Sequence, residues 1–197
     1  MRVGVLNYKI AGNIHSIKKA LSEVGANIVE INNEDDFKNI DKLVIPGVGS
    51  FSDAMSEIEP IREVLIENIK SKPTLGICLG MQILSKIGFE FGKTDGLGLI
   101  DAEVKLIECS GHIPHMGFNG IEIIKKSPLF NEINENSKFY FMHSYEVVNY
   151  TDILSLTTYS NHKFVSSIEK DNIYGVQFHP EKSREDGLTI FKNFLKL

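Results

Sequence analysis

Pro73-Thr74-Leu75-Gly76-Ile77-Cys78-Leu79-Gly80-Met81-Gln82 is the stretch on which the reading of this chain turns. Thr74 to Ile77 is a short apolar run, the right length for a buried parallel strand. Glycines at 76 and 80 bracket the cysteine, and Met81-Gln82-Ile83-Leu84-Ser85-Lys86-Ile87 reads as helix. Strand, tight turn and helix put Cys78 on the corner, as in a nucleophile elbow with a thiol in place of a hydroxyl. At a helix N-terminus the macrodipole favours thiolate. The N–H of Leu79, the next residue, is free to bind a developing oxyanion. A buried structural cysteine between packing glycines is the plain alternative, and two further stretches weigh against it.

The first is Val176-Gln177-Phe178-His179-Pro180-Glu181-Lys182-Ser183. His179 and Glu181 lie two apart on a segment read as extended, so they are expected to share a face. An imidazole base oriented by a carboxylate is what a cysteine nucleophile needs. The second is Val44-Ile45-Pro46-Gly47-Val48-Gly49-Ser50-Phe51, an apolar strand ending in a glycine-rich loop. Its backbone N–H groups could complete an oxyanion hole. Gln82 stands one helical turn past Cys78 and can face the same pocket.

Strands are expected over Arg2–Tyr8, Asn27–Ile31, Leu43–Ile45 and Thr74–Ile77, alternating with helices over Ile14–Val24 and Ser52–Ser71. The second helix is expected to be interrupted near Pro60. This alternation predicts a three-layer α/β/α fold with a largely parallel central sheet. After Gly88 the pattern changes to strands near Ala102–Ile107, Gly120–Ile124, Phe139–Met142, Glu146–Val148, Ile153–Thr158, Phe164–Glu169 and Ile173–Phe178. Strands without helices between them predict antiparallel additions to the sheet, and Arg184–Leu195 closes the chain as a helix. No linker, repeat or low-complexity tract divides residues 1–197, so one domain is expected.

Gly-Ile-Cys-Leu-Gly-Met-Gln, Pro-Gly-Val-Gly-Ser-Phe and Gln-Phe-His-Pro-Glu-Lys-Ser together resemble the class I (triad) glutamine amidotransferases. More narrowly, they resemble the glutaminase subunits of imidazole glycerol phosphate synthases. Pro114-His115-Met116-Gly117-Phe118-Asn119 and Tyr140-Phe141-Met142-His143-Ser144-Tyr145 match as well, in order and at family spacing. The resemblance implies a Cys78–His179–Glu181 triad that cleaves L-glutamine through a thioester, with Leu79 and Val48 or Gly49 as oxyanion donors. It assigns Gly47, Gln82, His143, Ser144 and Tyr145 to glutamine, the His143–Tyr145 segment mainly through its backbone. It also implies a heterodimer with a (β/α)8-barrel cyclase that captures the ammonia in histidine biosynthesis. Asn13, Pro114, Phe118, Tyr140 and Lys182 match family positions at the partner face. Tyr8-Lys9-Ile10-Ala11-Gly12-Asn13 departs from a more glycine-rich opening, and Phe118 stands where the family usually has tryptophan. The same chemistry serving a different synthase, such as a surface-sugar amidating enzyme, is one rival; a cysteine hydrolase or peptidase on the same fold is another.

Composition sets the remaining bounds. The chain has 197 residues, 42% hydrophobic and 24% charged, with net charge −5 from 21 basic and 26 acidic groups. That excess of acid argues against a broad nucleic-acid or membrane surface, and no apolar run approaches the ~20 residues of a bilayer span. Two cysteines, Cys78 and Cys109, are too few for a disulfide framework. A reactive thiol suits a reducing compartment, so cytoplasm is expected. His112 and His115 on a Gly/Pro-flanked loop do not make a complete zinc site, so neither metal nor cofactor is expected, and Cys109 reads as structural.

Overall fold

A computed structural model describes residues 1–8 and 14–197. The N-terminal half alternates as expected: β1 (Arg2–Leu6), α1 (Ile14–Glu23), β2 (Asn27–Ile31), β3 (Lys42–Ile45), α2 (Phe51–Ile58), α3 (Arg62–Ser71) and β4 (Thr74–Ile77). Ser50 caps α2 through its hydroxyl, which accepts from Asp53 N–H. A 3₁₀ turn at Glu59–Ile61, carrying Pro60, separates α2 from α3 as the proline predicts.

The chain then runs through α4 (Leu79–Gln82), β5 (Ser85–Gly88), β6 (Thr94–Asp95), β7 (Ile100–Leu106), β8 (His115–Gly120), β9 (Glu122–Ile123), β10 (Lys138–His143), β11 (Tyr145–Val148), β12 (Ile153–Tyr159), β13 (His162–Lys170), β14 (Ile173–Val176) and α5 (Arg184–Lys196). The main sheet has the order β2-β1-β3-β4-β14-β13-β12-β9. Its first five strands are parallel, and β13, β12 and β9 extend it antiparallel. Side-chain alternation divides the core. Val3, Val5, Val44 and Ile77 pack with α1 and α5 on one face. Leu6, Leu43 and Ile45 pack with α2 and α3 on the other. Strands buried on both faces explain the uninterrupted apolar runs.

Three expectations are corrected. Met81–Ile87 is not a helix: α4 is one turn, and Ser85–Gly88 is a strand between β7 and β6. Ladder hydrogen bonds to segments farther along the chain override the local apolar spacing there. The C-terminal strands do not all extend the main sheet, since β11-β7-β5-β6 and β10-β8 form two smaller sheets. His115–Gly120, read only as a motif, is a strand paired with β10, and the stretch expected from Gly120 to Ile124 forms the two-residue β9. Among the described residues no helix is long and apolar enough to cross a membrane.

Candidate active site

β3, β4 and β14 are adjacent and parallel, so the loops at their C-terminal ends meet. That edge of an open α/β sheet is where ligands bind. The Pro46–Gly49 loop follows β3, Cys78 follows β4, and Gln177 to Glu181 follow β14.

Cys78 has φ 52° and ψ −111°, a strained conformation for a residue with a side chain. The turn is possible because Gly80 lies against β3: a Cβ there would sit 1.9 Å from the Ile45 carbonyl oxygen. The Cys78 carbonyl accepts from Met81 and Gln82 N–H. Leu79 N–H has no acceptor among the described residues, and Leu79 lines the adjoining cavity. One helical turn carries little of the macrodipole expected behind the thiol. The groups nearest the sulfur matter more.

His179 supplies one of them. Its Nδ1 is 2.8 Å from Glu181 Oε1, and both side chains are buried. Glu181 does not sit on an extended segment as the spacing suggested. Pro180–Lys182 is a 3₁₀ turn that folds the carboxylate back onto the imidazole. Burial pushes His179 down, but the nearby Cys78 sulfur and the Glu181 carboxylate outweigh it and carry the group up to about 10. Nε2 is buried and has no hydrogen-bond partner among the described residues. Nδ1 is therefore committed to the carboxylate, which leaves Nε2 as the ring nitrogen available to exchange a proton.

A cavity of about 190 Å³ opens beside Cys78, lined by Val48, Gly49, Leu79, Gln82, Ser144 and Tyr145, with Glu90 and Pro114 at its walls. Gly49 has φ 116°, which leaves the preceding peptide free to adopt orientations that a side chain would resist. Gly47 is not part of the lining; it packs against Leu79 and the Tyr8 hydroxyl, which donates to the Pro46 carbonyl at 2.6 Å. Gln82 donates both amide protons inside the protein, to Tyr145 O and to Gln177 Oε1, each at 2.9 Å. Its carbonyl oxygen is left as the acceptor for a ligand. His143 turns its ring into the core, where Nδ1–H donates to Tyr145 O and Nε2 accepts from His115 Nδ1–H. His143 also borders the cavity. His115 is stacked with Phe141 and Tyr159.

The expected docking residues cluster. Phe118 and Tyr140 are cross-strand partners on β8 and β10, in edge contact at 5.5 Å. Arg184 lies over the Phe118 ring and Lys182 over Tyr140. Phe118 and Met116 are exposed, and Pro114 lines the cavity. Asn13 lies outside the described residues.

Residues 6–197 match the family model of class-I glutamine amidotransferases. The chain belongs to that family. It is 43% identical to the imidazole glycerol phosphate synthase subunit HisH 1 of Campylobacter jejuni (strain 81-176), covering 99% of this chain and 100% of the relative. It is 41% identical to the HisH subunit of Methanocaldococcus jannaschii over 99% of each. Among solved structures, a glutamine amidotransferase from Thermotoga maritima superposes with TM-score 0.67 at 16% identity, covering 100% of this chain and 84% of that one. At that identity the last likeness concerns the fold alone.

Two residues of this amidotransferase site carry no signal in the motifs. Glu90 lines the cavity, and its carboxylate accepts from Phe51 N–H at 2.7 Å. Burial raises it above the usual carboxylate range, against that hydrogen bond. Nothing local marks it, because it sits in an irregular turn after β5. Gln177 lies within the His179 motif, where its spacing suggests no role; its amide donates to Cys78 Sγ at 3.5 Å.

Proposed function

We propose that this chain is the glutaminase subunit of an imidazole glycerol phosphate synthase. It hydrolyses L-glutamine to glutamate and ammonia and passes the ammonia to a cyclase partner in histidine biosynthesis. The observation that carries this reading is the meeting of Cys78, His179 and Glu181 at one sheet edge, in a chain similar over its whole length to such subunits.

Cys78 Sγ attacks the side-chain amide carbon, and the carbonyl oxygen gains the displaced electron pair. Leu79 N–H and a donor from Val48 or Gly49 stabilise that oxyanion. As the C–N bond breaks, His179 gives its Nε2 proton to the departing nitrogen, leaving a thioester on Cys78. Neutral His179 then takes a proton from water, which attacks the thioester; glutamate leaves and the sulfur returns. Glu181 keeps the imidazole in register through both steps. The Gln82 carbonyl oxygen and the Glu90 carboxylate suit the α-ammonium group of glutamine, and the Ser144–Tyr145 backbone borders its other end.

The partner of this reading is a (β/α)8-barrel cyclase docked on Pro114, Phe118, Tyr140 and Lys182; Asn13, outside the described residues, is assigned to that face by the resemblance alone. Two exposed aromatic and apolar side chains rimmed by cations form a surface of the kind found at interface centres. The test is ammonia release from glutamine, with and without the cyclase and its ribotide ligand. Release that rises strongly in the complex supports the assignment. Turnover of peptides but not glutamine would replace it with a cysteine peptidase.

A further inference from the structure

We propose that Gln177 is a positioning residue for the nucleophile, presenting an N–H to Cys78 Sγ through a hydrogen-bond chain whose direction is set at the Tyr145 carbonyl. The inference rests on the reading of Cys78 as the attacking group. Gln177 follows β14, is fully buried, and has its own N–H tied to Ser166 O at 2.9 Å. A buried primary amide must satisfy both its ends, and it could offer the sulfur either a donor or an acceptor.

The surroundings decide which. A backbone carbonyl can only accept. Tyr145 O therefore forces Gln82 to turn its NH₂ inward, at 2.9 Å. The second proton of that NH₂ meets Gln177 across 2.9 Å, so Gln177 must offer oxygen there. What remains for Cys78 Sγ is the Gln177 NH₂, at 3.5 Å. The same carbonyl orders the opposite branch, where it accepts from His143 Nδ1–H and leaves His143 Nε2 to accept from His115. Burial keeps both imidazoles neutral, at about 3 and about 4, so this ordering persists through the neutral range.

A hydrogen bond to an anionic acceptor is stronger than one to a neutral acceptor. The Gln177 contact therefore favours the charged sulfur before attack and weakens once the sulfur is acylated. It also joins the nucleophile, through one amide, to the group that faces the ligand. Gln82 and Cys78 are thereby kept in a constant relation.

The test is the pH dependence of Cys78 alkylation by iodoacetamide, read by peptide mapping so that Cys109 is counted separately. Gln177→Leu removes the donor; Gln177→Met repeats the change with a more adaptable side chain should the leucine variant not fold. The pH of half-maximal alkylation is expected to rise by about one unit, since a hydrogen bond to a charged group is worth roughly a tenfold shift in population. Gln177→Glu retains an oxygen for Gln82 but faces the sulfur with a carboxylate, and should move the midpoint further. In the cyclase complex, kcat is expected to fall about tenfold with KM changed much less. An unmoved midpoint in the Leu or Met variant overturns the proposal, whatever the Glu variant does. Glutaminase activity surviving in Cys78→Ala would instead sink the underlying reading.

Discussion

His179 Nδ1 and Glu181 Oε1 are 2.8 Å apart because a 3₁₀ turn begins between them, and neither side chain reaches solvent. The carboxylate supports an imidazolium that burial alone would discharge. His179→Ala removes the proton carrier and should cost roughly 10²–10⁴-fold in kcat. Glu181→Gln preserves the shape and the hydrogen bond but not the charge, and should cost less. Its effect should include a downward shift of the basic limb of the pH–rate profile, as the imidazolium loses support. Equal residual rates would show that Glu181 does more than orient and stabilise.

Cys78→Ala should abolish glutamine hydrolysis while the cyclase complex still makes product from ammonium salt. The backbone adds a second expectation. At φ 52° a side chain is strained and glycine is not. Cys78→Gly should therefore be equally inactive yet melt no lower than Cys78→Ala, despite glycine's larger entropy loss on folding. A melting temperature well below that of the alanine variant would mean that the strain is not released there.

A glutamine-like alkylating analogue should label Cys78 and spare Cys109. Cys78 borders the cavity beside His179, whereas the Cys109 thiol donates to the Gly111 carbonyl of its own loop. Peptide mapping decides it, and label mainly on Cys109 would place the glutamine pocket elsewhere.

The loop after β3 offers a gate. Rotating the Val48–Gly49 peptide by half a turn would carry Gly49 from φ 116° into the ordinary negative region. If the positive-φ form withholds an oxyanion donor, Gly49→Ala should favour the rotated form, since strain of about 1–2 kcal/mol opposes a side chain at positive φ. Basal turnover of the lone chain should then rise roughly tenfold, and the gain on adding cyclase should shrink. Val48→Pro removes one N–H and Val48→Ala does not, so the pair separates donor loss from side-chain loss. Equal turnover of lone chain and complex, before any substitution, would rule out gating.

Acid should unfold the chain partly through His115 and His143. Both are held far below the usual imidazole value by burial, so the unfolded chain binds more protons below about pH 6.5. Their contribution is complete above that pH and is lost as pH falls toward 4. His179 adds little slope in this window, because an imidazole raised to about 10 is protonated throughout it in the folded state and, away from its upper end, in the unfolded state as well. His115→Phe should melt lower at pH 7 but lose less on going from pH 6.5 to 5. A slope unchanged from that of the unsubstituted chain would assign acid sensitivity to other groups.

The amino-acid sequence by itself determined the parallel α/β architecture and marked Cys78, His179 and Glu181 as the candidate triad. Thr74–Ile77 and Leu43–Ile45 are buried on both faces, so side chains there are apolar or, like the Thr74 hydroxyl, bonded to backbone, and a run of that kind is visible locally. Gly80 is required by the closeness of β3 to the elbow, and the requirement leaves a glycine at a readable spacing from Cys78. Tertiary structure decided what depended on distant partners. Ser85–Gly88 became a strand because β7 supplied its hydrogen bonds, although its apolar spacing suits a helix. Phe118 and Tyr140 became neighbours through the β8–β10 ladder. The roles available to Gln82, Gln177 and His143 were settled at one carbonyl, that of Tyr145. An amide or imidazole carries both donor and acceptor, and only its folded neighbours determine which of the two it presents.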